Sequence, residues 1–184
     1  MSATAESRPY RIPNALRDLV MLDLLELTGS TTGAAALLGM SQPTVSRRYN
    51  SIARDLGLKR QGEAPPGRRF ADAPWVPWLR RGVNHHRLAH GVIRVGGHHA
   101  LEGAIAESAL VQWVRLGRQQ QRDWRPLLTL ELLDAVALKK RPELAVEEMV
   151  SMALVDVHGE RNVPVVLACR RDPLVLAICG ELRT

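Results

Sequence analysis

Between Ala15 and Gly57 the chain alternates glycine stops with hydroxyl starts. Gly29, Gly39 and Gly57 are the stops; Ser30, Thr31 and Thr32, and then Ser41, are the starts. Glycine takes the left-handed conformation that ends a helix, and Ser or Thr supplies the oxygen that caps the next one. This punctuation predicts three short helices. In the first, Leu16, Leu19, Val20, Leu24 and Leu27 form one stripe, widened by Met21, Leu22 and Leu25. So much apolar surface implies a helix that is enclosed or meets a partner. The second, Gly33 to Leu38, carries Ala34-Ala35-Ala36, which suits close helix–helix approach. The third opens on Ser41, with Gln42 and Pro43 in its first turn, where proline is tolerated. Its inward stripe is Val45, Tyr49, Ile52 and Leu56. Its outward residues are Gln42, Thr44, Ser46, Arg47, Arg48, Asn50 and Arg54.

Charge singles out the same region. The formal net charge of +6 is uneven: residues 1–100 carry 14 Lys/Arg against 7 Asp/Glu, and residues 101–184 carry 11 against 12. Between Ser41 and Phe70, Arg47, Arg48, Arg54, Lys59, Arg60, Arg68 and Arg69 face only Asp55 and Glu63. A basic half joined to a neutral half points to a polyanion-binding module with something attached. Charge alone fits a solvated basic surface equally well, and three short helices also describe a plain helical bundle. A capped helix with a polar outer face, set after a glycine turn, is nonetheless the form of a helix-turn-helix. Gln, Asn and Arg bond bidentately to base edges, and Ser and Thr reach phosphates.

The residues are more specific than the periodicity. Leu16 to Leu58 resembles the N-terminal winged helix-turn-helix of LysR-type transcriptional regulators. The match runs through Gly29-Ser30, Ala34-Ala35, Leu37 and Ser41-Gln42-Pro43-Thr44-Val45-Ser46-Arg47, and closes on Leu56-Gly57-Leu58-Lys59. The resemblance implies that the third helix enters the major groove and that a following hairpin acts as a wing. It makes Gln42, Pro43, Thr44 and Arg47 the base-reading group, with Ser41, Ser46, Arg48 and Asn50 as flanking contacts. The wing falls at Gly62 to Asp72, with a Pro65-Pro66-Gly67 tip and Arg68 and Arg69 near phosphates. The chain departs from the family at three places. Ile52-Ala53 replaces a usual Leu-Glu, Arg60-Gln61 replaces Leu-Phe, and Thr31 stands where an aromatic often follows Gly-Ser. Phe70 can supply the missing wing anchor.

Residues 72–91 read as a linker helix. Trp75, Trp78, Leu79 and Val83 keep helical spacing, and the resemblance makes them a dimerisation face. Five of the six histidines follow closely: His85, His86, His90, His98 and His99. His86 and His90 have the i, i+4 spacing that can share a metal, but no Cys, Asp or Glu lies among them, and no metal or cofactor is expected.

Residues 92–184 read as a small α/β domain. Val92 to Val95 is a strand and Ala100 to Leu116 a helix. Leu127 to Leu132 fits a strand or a helix, and a helical segment begins at Pro142. Ala153 to Val157 is a strand, and Val163 to Cys169 with Leu174 to Cys179 form a hairpin or two neighbouring strands. This order resembles half of a periplasmic-binding-protein-like effector domain, as found in LysR-type regulators. There, two subdomains flank an effector cleft, and this chain has residues for about one.

The sequence has no GxSxG, P-loop, GxGxxG or CxxC motif, so an enzyme is not expected. Cys169 and Cys179 cannot make a disulfide framework. Met1 to Pro13 lacks an apolar signal core, and no apolar run approaches the ~18–20 residues that span a bilayer. A cytoplasmic protein without membrane association is expected. The layout is a winged helix-turn-helix at 1–71, a linker at 72–91 and a shortened effector-like domain at 92–184. It implies a regulator that binds double-stranded DNA as a homo-oligomer, with no effector specified. Two alternatives are an interaction module that heterodimerises with a complete regulator without reading DNA, and a metal or small-molecule sensor.

Overall fold

The computed structural model describes residues 10–70, 72–158 and 164–182. The readings made for the N-terminal segment before Tyr10, for Val163 and for the C-terminal Thr184 lie outside the described residues. A 3-10 turn at Asn14–Leu16 leads into α1 (Arg17–Thr28), followed by α2 (Thr31–Leu38) and α3 (Gln42–Asp55). Gly29 and Gly39 end the first two helices in the left-handed conformation. The Ser30 hydroxyl accepts from the Gly33 N–H at 3.0 Å, and the Ser41 hydroxyl from the Thr44 N–H at 3.4 Å. Because Ser30 is the cap, α2 starts at Thr31 rather than at Gly33. The inward stripe of α3 stops at Ile52. Leu56, expected to continue it, is the C-cap residue and is 41% exposed.

A fourth helix, α4 (Val76–Ala89), joins this unit to a five-stranded sheet. The elements are β1 (Ile93–Gly97), α5 (Glu102–Ile105), β2 (Val111–Arg115), α6 (Arg118–Arg122), α7 (Arg125–Thr129), β3 (Ala135–Leu138), α8 (Val146–Ser151), β4 (Met152–His158), β5 (Pro164–Arg170) and α9 (Pro173–Glu181). The strand order is β2-β1-β3-β5-β4. β1 runs parallel to β2 and β3, and β5 runs antiparallel to β3 and β4. The molecule is thus an α-rich region followed by a small mixed α/β sheet.

Side chains alternate across the sheet with period two. Ala135, Ala137, Leu167 and Cys169 join Val175, Ile178 and Cys179 of α9 in one core. Val136 and Ala168 join a second core with Leu127 and Leu128 of α7 and with Val20 to Leu27 of α1. α1 is therefore shared between the three-helix unit and the sheet.

The sheet region departs from the sequence reading, or settles what it left open, at several elements. The helix expected over 100–116 is only α5, because Val111 to Arg115 pairs in parallel with β1. Leu127 to Leu132, open to a strand or a helix, divides: Leu127 to Thr129 end the helix α7, which has proline in its first turn, and Leu130 to Leu132 form the turn after it. Leu174 to Cys179, expected as a strand, is α9: Asp172 caps it by accepting from the Leu174 and Val175 N–H groups at 2.9 and 3.3 Å, and Pro173 sits in the first turn. An apolar run of that length suits a buried helix as well as a strand, and the Asp-Pro start decides it. The antiparallel partner of β5 is instead β4, in register from Met152↔Arg170 to His158↔Pro164.

Two chains of buried charge run through the junction. Asp23 of α1 accepts from the Arg80 Nε of α4 and from an Arg94 guanidinium N–H of β1, and all three are at most 5% exposed. Arg80 also donates to the Leu130 carbonyl at 3.0 Å, and Arg94 to Gln112 Oε1 at 3.0 Å. In the second chain, fully buried Asp134 accepts from Arg87 of α4, from Arg170 of β5 at 2.7 Å and from the Arg94 backbone N–H at 2.7 Å. Burial by itself raises the Asp134 pKa, but Arg87 and then Arg170 outweigh it and hold the carboxyl at about 2. Buried ions persist only when paired and hydrogen-bonded in this way.

Candidate nucleic-acid interface

α3 is backed by α1 and α2. Val45 is fully buried and Tyr49 and Ile52 pack partly against the same core. That anchoring turns Gln42, Pro43, Arg47, Asn50 and Arg54 outward, all exposed along one face, with Ser41 exposed at the cap. Thr44 and Ser46 are half-buried beside them. The hydroxyls of Ser41 and Thr44 lie 2.7 Å apart, and Gln42 Nε2 donates to Thr31 Oγ1 at 2.9 Å. Arg48 lies at the edge of this face. Its guanidinium pairs with Asp18 of α1, Nε at 2.9 Å and the terminal nitrogen at 2.8 Å. The structure therefore gathers seven of the ten expected nucleic-acid contacts on the exposed or half-exposed face of one helix, and ties an eighth, Arg48, to α1.

The last two, Arg68 and Arg69, sit on the loop that follows. No strand forms over the described residues 59–70, and the cross-loop pairing there is a single backbone rung, Gln61 N–H to Arg69 carbonyl at 2.8 Å. The expected hairpin wing is thus a loop. Pro66 and Gly67 occupy the centre of a turn closed by the Arg68 N–H and the Pro65 carbonyl at 3.1 Å, with Gly67 at φ 89°. Glu26 of α1, 2% exposed, explains why the loop does not project. Its carboxylate accepts from the Gly67 N–H, and from the Arg69 N–H at 3.1 Å. Arg69 then donates to the Glu26 carbonyl near the C-terminal end of α1. Burial lowers the Arg69 pKa; Glu26 opposes this and Arg60 adds to it. Arg69, expected at a phosphate, thus faces inward onto α1, while Arg68 stays exposed. Phe70 is buried with its ring 6.4 Å from that of Tyr49, the place expected for a loop anchor.

The expected dimerisation face also divides. Val83 is 3% exposed and belongs to the chain's own core, because that side of α4 packs onto α1 and carries Arg80, Asn84 and Arg87 into the junction. Trp75 and Leu79 are half-buried. Trp78 is 70% exposed, with the Arg81 guanidinium 5.3 Å from its ring centre.

The histidines pair by ring contact. His86 and His90 stack at 4.4 Å, with the Tyr10 hydroxyl 3.2 Å from His86 Nδ1, and His98 and His99 lie 4.0 Å apart. Among the described residues no group of three or more His, Cys, Asp or Glu could hold a metal ion. Among the same residues no helix is long and apolar enough to cross a membrane. Cys169 and Cys179 are buried with their sulfurs 3.2 Å apart, one on β5 and one on α9.

The sequence reading missed three supporting residues: Thr31, which holds Gln42; Asp18, which holds Arg48; and Glu26, which holds the loop. A signal for the last was present. Asp23 and Glu26 stand three residues apart in the otherwise apolar run Val20 to Leu27, where an unpaired acid is costly to bury.

No protein-family model and no curated protein matches this chain. Solved structures do. One is an OxyR from Corynebacterium glutamicum, at 15% identity and TM-score 0.40, covering 82% of this chain and 52% of that one. Another is LysG from Corynebacterium glutamicum with bound effector Arg, at 12% identity and TM-score 0.36, covering 76% and 53%. A third is HinK, a LysR family transcriptional regulator from Pseudomonas aeruginosa, at 18% identity and TM-score 0.33, covering 78% and 53%. The chain spans about half the length of these structures, and the overlays are loose.

Proposed function

We propose that this chain is a sequence-specific DNA-binding transcriptional regulator of LysR-like type that acts as a dimer or higher oligomer. The observation that carries the reading is the outer face of α3. Gln42, Arg47, Asn50 and Arg54 are exposed on one side of a 14-residue helix whose other side is anchored through Val45. Arginine reads guanine O6 and N7, and Gln or Asn reads adenine N6 and N7, so this side-chain set fits the major-groove edge of a duplex. α3 enters the groove, its N-terminal turn faces a phosphate, and exposed Arg68 holds the flanking backbone. A second copy, meeting the first on the Trp78 side of α4, places its own α3 in a neighbouring half-site. Arg69 and Val83 take no part, since both are committed within the chain.

The test is the salt dependence of binding to genomic fragments, with Arg47→Ala beside the wild type. Affinity falls steeply as salt rises, and Arg47→Ala weakens specific binding by roughly 1–3 kcal/mol. Unchanged binding in that variant overturns the assignment. The second reading, a module that heterodimerises without touching DNA, draws on the exposed apolar Val146, Met149 and Val150 of α8. It predicts no salt-dependent shift of any fragment.

A further inference from the structure

We infer that Thr31 is a positioning residue for base recognition: its hydroxyl fixes the side-chain amide of Gln42 so that the amide offers one donor and one acceptor to a base edge. The inference rests on the DNA-binding reading of α3 and names a determinant of its specificity.

Thr31 is the first residue of α2 and Gln42 the first residue of α3. The turn between the two helices brings these positions together, and Gln42 Nε2 donates to Thr31 Oγ1 at 2.9 Å. Without that bond an exposed glutamine at a helix start samples many rotamers. A primary amide has two N–H donors and one carbonyl acceptor. Thr31 takes one N–H. The other N–H and Oε1 remain, and they are the pair that adenine N7 and N6–H require for a bidentate contact in the major groove. The nearest hydroxyls do not compete for the amide, because Ser41 and Thr44 bond each other at 2.7 Å. Thr31 is itself restrained: it is β-branched, and it sits directly after the Ser30 cap that accepts from the Gly33 N–H.

The experiment uses the whole chain. Bound sequences are enriched from a random duplex pool with the wild type. Competition binding then compares the enriched site with versions changed at one base pair at a time, for wild type, Gln42→Ala, Thr31→Val and Thr31→Ser. Gln42→Ala removes the preference at one A·T pair. Thr31→Val keeps the shape and loses the acceptor, and reduces that same preference by about three- to tenfold. Thr31→Ser retains it, and affinity for random DNA is equal in all three Thr31 forms. Thr31→Val with the wild-type preference, or with an even loss across all sequences, overturns the positioning role and leaves the DNA-binding reading in place. A wild type that enriches no sequence overturns both.

Discussion

α1 and α3 are neighbours of similar length, 12 and 14 residues, yet α1 buries every residue from Val20 to Leu27 while α3 buries only Val45. The difference divides the labour of the three-helix unit. α1 is enclosed by α2 and α3 on one side and by α4, α7 and the sheet on the other, so its two buried acids, Asp23 and Glu26, have their partners inside the protein. α3 is covered on one side alone, so its arginines, glutamine and asparagine keep an open face. Changes to α1 should therefore act on stability, and changes to the outer face of α3 on recognition.

Asp23→Ala puts the largest strain on that division. It strands Arg80 and Arg94 without their carboxylate, and unfolding by urea should show a loss of about 3–5 kcal/mol. A near-neutral result would mean that α1 is not the shared axis. Acid comes next. The folded Asp134 carboxyl is held at about 2, below its ordinary value of 3.8. Its contribution is complete above about pH 4 and is lost as the pH falls toward 2, with a magnitude of roughly 2 kcal/mol. A pH series of unfolding curves should show this slope, and Asp134→Asn should lack it. Arg47→Ala sharpens the contrast from the other side: its melting curve should lie within about 0.5 kcal/mol of wild type even as specific DNA binding weakens. The smallest effect belongs to Arg48→Ala. Its pair with Asp18 is about one-third exposed at the arginine and is worth about 0–1 kcal/mol. A double-mutant cycle with Asp18→Ala measures it, and a coupling well above that range would make Arg48 part of the α1 framework.

The legible parts of the molecule are the local ones. Ser30, Ser41, Gly29 and Gly39 act within a few residues of themselves, so caps and stops can be read directly, and with them the outer face of α3. The long-range parts are not legible. Asp23 finds Arg80 57 residues away and Arg94 71 residues away, and no spacing rule connects them. Arg69 shows how the site suffers from the same limit. A basic residue beside a Pro-Gly turn fits a phosphate contact until Glu26, 43 residues upstream, draws the loop onto α1. Val83 keeps the helical phase of Trp75 and Leu79, and only the packing of α4 shows which side of that helix is inside. Leu174 to Cys179 is ambiguous for a different reason. Its apolar run fits either element, and the Asp172-Pro173 start is the discriminating mark.

The reach of Asp23 also bears on the order of synthesis. α1 is made before the elements that complete it: its Asp23 carboxylate acquires both arginine partners only after β1 exists, and its apolar surface is closed later still by α7 and by residues as far along as Ala168. Contacts of such separation must wait for long loops to close, which slows folding. During translation the α1–α3 unit therefore passes through an interval in which its caps are formed and its core is open. α1 is completed only by residues made well after it.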